Sequence, residues 1–536
     1  MLERFTARSG AASLRIDGVA LHSPYDPARE AARFVEGALG GETPSTVVLL
    51  GEGLGHATHA LEQRLPGIRI LRVFYSQEIA GLCEPSAHPG WHPGSPVSIG
   101  DFLRANIGEL DMEGLRALEW QPSAASFPAL SRAAHQGLRQ VLQELNGSLV
   151  TTVSAGRLWI RNTLANFLLL DHPLSGPPCG PDRTVLIAAS GPSIQQALPF
   201  IARARAALEL WALPSSVPFL LHAGLRPDLV VMTDPGHWSM VHLHFDDPQC
   251  PIAMPLSAAR GVWRLAVSTP LLLGQPAFYE EALLAAAGLG VPRITPHGTV
   301  AASAIDLALA ATRGPVVAAG LDMCTEDLAL HCRPNAFDVL LRLQETRTAP
   351  LHSLSFHRVA SQEVECIREG ENRIRIPRSL RTYAGWFTGE SPLDRGRLHR
   401  LLASAVLLPR LRPLDGPGFL QLAEGHARAA RGPGLHPAER YPDRRSRRAI
   451  VQRIAGQWEA AVEHGRSRLR AGGGLAVFAG SPELLPLAYH VDPRGLLDAR
   501  RKARAGSMRA ALETGEQVLD ACGLFLASCV GKALGA

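Results

Sequence analysis

One pattern constrains this chain more than any other: a short unbroken run of Val, Leu, Ile and Ala stops at a glycine or an acid and gives way to a helical stretch. It occurs at 45–51 (STVVLLG), 184–194 (TVLIAASGPSI), 228–234 (DLVVMTD), 251–257 (PIAMPLS) and 316–323 (VVAAGLDM). Continuous apolar runs of this length bounded by turn residues are the signature of strands buried on both faces, which is the situation in parallel sheets. The intervening segments, IQQALPFIARARAAL, FYEEALLAAAGL and AASAIDLALAATRG, read as helices. Strand and helix alternating in this way predict an α/β fold with a doubly wound, mostly parallel sheet.

Near the N-terminus STVVLLG, GEGLGHATHALEQRL and IRILRVFYS form one βαβ unit, preceded by a helix that starts at Pro27 with Asp26 as its cap. The stretch from about 80 to 175 reads as helical, and the Pro/Gly-rich 171–182 as a connector. We therefore expect a Rossmann-like N-terminal domain at 1–130, a helical connector at 131–175, a central α/β domain at 176–390 and a helix-rich C-terminal region at 391–536.

The chain has 536 residues, long enough for several cores, and a formal charge of +5. Of its 54 basic residues 52 are arginines, interleaved with acids rather than clustered with aromatics, so no nucleic-acid partner is expected. Its eight cysteines form no C-x-x-C pair, which argues against a zinc ribbon or a disulfide framework. MLERFTARSG lacks the order of a signal peptide, and no uninterrupted apolar run has the roughly 18 residues a membrane span needs. We expect a cytoplasmic protein without a membrane span.

Several loops fall where a parallel sheet binds ligands, at the carboxyl ends of its strands. Gly51-Glu52-Gly53-Leu54-Gly55 is either a phosphate loop or a structural tight turn. Ser190-Gly191-Pro192-Ser193 stands between a strand and a helix, where free backbone N–H groups gather. Ser193 can cap that helix or donate to a ligand. Asp234 ends the DLVVMTD strand, where its carboxylate can meet a ribose or a metal, or close an Asx-turn. Gly298 and Thr299 lead into another helix, and Asp322 ends a further strand. His331 follows Asp322 by nine residues and is a candidate general base. No D-x-D is present, and the His242/His244 pair, read on a strand, lacks further placed metal ligands. The basic run Arg444, Arg445, Arg447 and Arg448 reads as a solvated helix face, or else as a surface for an acidic partner or membrane.

VLIAASGPSI, GLRPDLVVMTDPG, GTVAASAIDLA and VVAAGLDM with its later histidine resemble the domain shared by the motility accessory factors, which are flagellin glycosyltransferases, and the archaeal 6-hydroxymethylpterin diphosphokinases. LHSPYDPAREAARF, VVLLGEGLG and GRLWIRNTLANFLLL resemble the flanks of the motility accessory factors. That resemblance implies a sialyltransferase-like central domain and transfer of a nonulosonic acid from its CMP-activated form to Ser or Thr of flagellin. It assigns nucleotide binding to Ser190, Gly191, Pro192, Ser193, Asp234, Gly298 and Thr299, and catalysis to Asp322 and His331. Neither a metal nor another cofactor is then required; the partners are the nucleotide sugar and flagellin. Ala189 stands where the family has glycine. Cys324 stands where the sialyltransferases place a phosphate-binding tyrosine, so His331 or Arg333 would compensate. The alternatives are an ATP-dependent pterin diphosphokinase, with magnesium held by Asp234 and Asp322, and a non-catalytic flagellin-binding scaffold.

Overall fold

The computed structural model describes residues 2–535 except 177, 263–264, 266–268, 327–328, 361–363, 370–371, 388–393, 395 and 430–433. Asp327 and the expected boundary at 390 lie outside the described residues. Two compact units emerge, and neither is one stretch of sequence. The first comprises Met1–Ser154, Arg466–Gly480 and Asp492–Asp520; the second comprises Ala155–Gly465, Ser481–Val491 and Ala521–Ala536. The helical stretch expected at 131–175 is α3 (Pro128–Leu169), 42 residues long, and the C-terminal helices are divided between the two units.

In the first unit, α1 (Pro27–Leu39) begins at Asp26, whose carboxylate accepts from the Arg29 N–H at 3.0 Å. Parallel strands β1 (Thr46–Leu50), β2 (Arg69–Val73), β3 (Gly90–Trp91) and β4 (Leu115–Glu119) lie in the order β3-β2-β1-β4. β1 is buried throughout, and its faces feed two apolar layers, Val48 and Leu50 on one side and Val47 and Leu49 on the other. The helix α2 (His56–Arg64) joins β1 to β2. β4 lies in a stretch read as helical. It buries only Leu118, so its sequence carries no continuous apolar run.

The second unit is built on a ten-stranded sheet. Its strands are β5 (Leu174–Ser175), β6 (Thr184–Ala188), β7 (Leu208–Ala212), β8 (Leu229–Val231), β9 (Ile252–Pro255), β10 (Pro270–Leu273), β11 (Val316–Ala319), β12 (Leu398–Leu401), β13 (Arg412–Leu414) and β14 (His436–Pro437). Their order is β13-β12-β11-β6-β7-β8-β9-β10-β5-β14, parallel except for the β14–β5 pair. Helices α4 (Ile194–Ala204), α5 (His237–Phe245) and α6 (Val300–Ala311) follow β6, β8 and β10 respectively along the chain. α7 (Ala336–Leu343), α8 (Leu351–Ala360) and α9 (Arg378–Gly385) come after β11, with a hairpin, Val364–Glu369 and Asn372–Pro377, before α9. The region after 390, read as helical, adds three strands to the sheet. β12 contains the buried Arg400, and β13 contains Pro413 at an edge position, where its missing N–H breaks no ladder.

The arginine run is a solvated face only in part: Arg444 and Arg445 are exposed, Arg447 is not. In α10 (Arg444–Arg470) Arg447 is buried, donates to the Leu168 carbonyl at 3.1 Å and pairs with Asp171. One described helix, α11 (Met508–Gly535), is long and apolar enough to cross a membrane by length and composition. Its buried positions 511, 514, 515, 518, 519, 522, 526, 529 and 533 form a stripe at helical spacing, with exposed residues between them.

Candidate active site

In the second unit the chain runs from β6 outward to β7 through β10, then returns to place β11 on the other flank of β6. The carboxyl ends of β6 and β11 therefore form a topological switch point, where open α/β sheets bind ligands. The two strands are drawn together there. The Gly191 N–H donates to the Gly320 carbonyl at 2.7 Å, and a Cβ on Gly191 would stand 2.5 Å from that oxygen and from Asp322 Oδ2. Gly320, at φ +69°, would place its own Cβ 2.6 Å from the Ala189 carbonyl. Both positions require glycine for close approach and one for its positive φ as well.

Across this junction Asp322 accepts twice from Ser193, at 2.9 Å from the N–H and 2.5 Å from the hydroxyl. Ser193 makes no side-chain capping bond of its own to α4. The carboxylate of Asp322, arriving from the neighbouring strand, covers the positive end of that helix instead. The backbone oxygen of Asp322 accepts from Ser404 Oγ at 2.8 Å, and Arg400 Nη2 donates to that hydroxyl at 2.5 Å. Met323, at φ +54°, then turns the chain, and Cys324 packs beneath the hairpin with Ile374 and Ile376.

A cleft of about 280 Å³ opens at this edge. Ser190, Gly191, Thr299, Asp322 and His331 line it, so five of the nine residues singled out in the sequence meet in one place. The other four stand beside it. Pro192 and Ser193 continue into α4. Asp234 Oδ1 accepts from the Gly236 N–H at 2.6 Å, the Asx-turn, and burial pushes its carboxyl up. Gly298, at φ +68°, lies against the ring of Tyr383, whose edge is 3.6 Å from where a Cβ would stand.

Burial first, then the charges of Arg358 and His242, hold the His331 imidazole down at about 4. It is neutral at physiological pH, the form that accepts a proton. Its ring lies 5.6 Å from that of Phe337, which also meets His242 at 4.8 Å and carries the Arg358 guanidinium 4.1 Å above its centroid. His242 and His244 sit on α5 rather than on a strand, the first buried and the second exposed, so they do not form a shared ligand pair.

Two cleft residues carried no sequence signal. Arg358 on α8 and Tyr383 on α9 both line it, whereas Arg333 pairs with Asp338 at 3.0 Å and lines only a smaller adjoining cavity. Burial and the charge of Asp234 raise the Tyr383 phenol. Behind the cleft, the helical GRLWIRNTLANFLLL motif has a clear structural task. Asn166 Nδ2 donates to the carbonyls of Leu256 and Ala258 at 2.7 and 2.9 Å, and Asn162 Nδ2 to those of Pro235 and Ser257 at 3.0 and 3.2 Å. The loops after β8 and β9 are thereby held to α3.

In the first unit the Gly51–Gly55 loop uses its donors internally. The N–H groups of Gly51 and Glu52 donate to the Val73 carbonyl, that of Gly53 to Glu52 Oε1 and that of Leu54 to His22 Nε2. A Cβ on Gly53 would strike His22 at 2.1 Å. The tight-turn reading accounts for each of these glycine-loop contacts.

These features define a doubly wound α/β protein with its cleft at the switch point of the sheet. Comparison with known proteins narrows the class. Residues 162–327 match the family model described as 6-hydroxymethylpterin diphosphokinase MptE-like. The fold matches that of the MAf glycosyltransferase from Magnetospirillum magneticum AMB-1, with a TM-score of 0.58 over 99% of this chain and 92% of that one, at 14% identity. Two uncharacterized proteins of Treponema pallidum (strain Nichols) are each 26% identical, one over 62% of this chain and 68% of its own length, the other over 36% and 70%. The resemblance read from the strand-end motifs thus holds on both sides: an MptE-like central segment within the fold of a Maf glycosyltransferase.

Proposed function

We propose that the protein is a glycosyltransferase that moves a nonulosonic sugar from its CMP-activated form to a Ser or Thr hydroxyl of flagellin. The observation that carries this reading is the likeness of fold to the Maf glycosyltransferase over nearly the whole chain, beyond the segment matched by the MptE-like model. The switch-point cleft and its neutral histidine supply a place and a proton acceptor for the chemistry.

In this mechanism the acceptor hydroxyl attacks the anomeric carbon while His331 Nδ1 or Nε2 takes its proton. The bond from that carbon to the phosphate oxygen breaks, and CMP leaves with the electron pair. A bound phosphate beside Arg358 offsets one of the charges that depress His331, so the donor itself makes the base stronger. Asp322 acts at one remove: it fixes Ser193 and the β6 and β11 strand ends rather than exchanging a proton.

The description of the matched family model favours a second reading, pyrophosphoryl transfer from ATP to a pterin. Magnesium would then need Asp234 and Asp322. The donor set does not fit that task, because both Asp322 oxygens accept from Ser193 and Asp234 Oδ1 accepts from its own turn. Calorimetric titration with CMP, and separately with ATP plus magnesium, tests the two readings. CMP binding, with a mass gain on flagellin incubated with protein and CMP-sugar, supports the transferase; ATP-only binding with a pterin diphosphate product overturns it.

A further inference from the structure

The backbone donors at the N-terminus of α4 are already engaged in this chain. The N–H groups of Gly191, Ser193, Ile194, Gln195 and Gln196 donate to Gly320 O, Asp322 Oδ2, Gly191 O, Pro192 O and Ser193 O, and Pro192 has none to give. An anion approaching α4 also meets the Asp322 carboxylate, which is of the same sign. The helix terminus alone is therefore a poor phosphate cradle.

The groups suited to an anion lie on the other wall of the cleft. Arg358 on α8 is held by its stack on Phe337, and its charge reaches His331. A guanidinium fixed in a plane gives directed donors to phosphate oxygens. Tyr383 on α9 has its ring edge beside Gly298 and lines the same cleft. The raised phenol keeps its proton at neutral pH and is a donor there.

We propose that Arg358 and Tyr383 are the anion-binding pair of this cleft, holding the phosphate of the nucleotide ligand in place of the α4 N-terminus. The assignment rests on the transferase reading for the identity of that nucleotide. During transfer the same two groups stabilise the charge that develops on the departing phosphate.

Binding of CMP compared with cytidine, measured calorimetrically on the intact chain, isolates the phosphate contribution. Wild type should bind CMP at least about tenfold more tightly than cytidine, the scale of charge-assisted hydrogen bonds. R358Q should lose most of that preference and Y383F part of it, with cytidine affinity unchanged in both. R358K, which keeps the charge but not the planar fork, should retain an intermediate preference. Equal CMP-to-cytidine ratios in wild type and all variants overturn the proposal while leaving the nucleotide reading intact. Failure of wild type to bind either ligand removes the CMP reading, and inorganic pyrophosphate then decides about the pair. Pyrophosphate binding that R358Q and Y383F weaken sustains it; unaltered binding, or none, overturns it. If R358Q melts well below wild type, the Y383F ratio decides alone.

Discussion

Asp322 and Ser193, 129 residues apart in sequence, share two hydrogen bonds across the junction of β6 and β11. A carboxylate with both oxygens in use at the edge of a buried sheet is a structural clasp, and it sets the cleft's geometry before any ligand arrives. Ser193→Ala removes the hydroxyl and leaves Asp322 Oδ1 without that donor. A hydrogen bond to a charged group is worth about 1.5–3 kcal/mol. Urea unfolding should register a loss of that order, and a variant as stable as wild type would show that the clasp carries no weight.

Gly191→Ala tests close approach at the same junction. Its Cβ would overlap a backbone oxygen, which cannot swing aside as a flexible side chain can. The variant should melt several degrees lower or fail to bind nucleotide, whereas Ala189→Gly, two residues earlier, should do neither. Thermal melts of the pair give the comparison.

The Asn166 amide spans two carbonyls on the loop after β9. Asn166→Leu keeps the branching at Cγ and strips both acceptors of their partner, at a cost of about 1–3 kcal/mol for each group left unsatisfied. Amide hydrogen exchange should quicken over residues 256–259. Unchanged exchange there would remove the clamp role.

His331, His242 and His22 are all held below the ordinary histidine value, to about 4, 4 and 3, mainly by burial. The folded state then binds fewer protons than the unfolded chain between those values and about 6.5. Their contribution is complete above the unfolded value and is lost as pH falls through the window toward the folded ones. The urea midpoint should therefore drop between pH 6.5 and 4, and His242→Asn should flatten that slope. Under the transferase reading the transfer rate, by contrast, should not fall near pH 6.5, because His331 stays neutral well below it. R358Q should move the acid limb of the rate profile upward by removing a charge that depresses the imidazole.

Under the transferase reading, transfer survives excess EDTA, since the donor leaves as a monophosphate that protein groups can hold. Complete loss in chelator, restored by magnesium, would count against that route.

What the sequence disclosed and what it hid follow one physical division. β1, β6, β9 and β11 are buried along their whole length, so each appears as an unbroken apolar run, and the turns after β6 and β11 bring Gly191 and Asp322 to one edge. β4 and β12 carry partly exposed or charged residues and left no such trace; Arg400 occupies a buried strand position through its bonds to Ser404 and the Val406 carbonyl. Arg358 and Tyr383 were invisible for a different reason. They stand on short helices with no motif, and only tertiary packing, on Phe337 in one case and beside Gly298 in the other, brings them to the cleft.

The matched segment ends at residue 327, while Arg358 and Tyr383 lie beyond it. One wall of the cleft thus comes from a shared scaffold and the other from sequence outside it. A lineage that exchanged the second wall could acquire a new substrate without rebuilding the sheet, just as a lock is rekeyed by changing pins inside an unaltered housing.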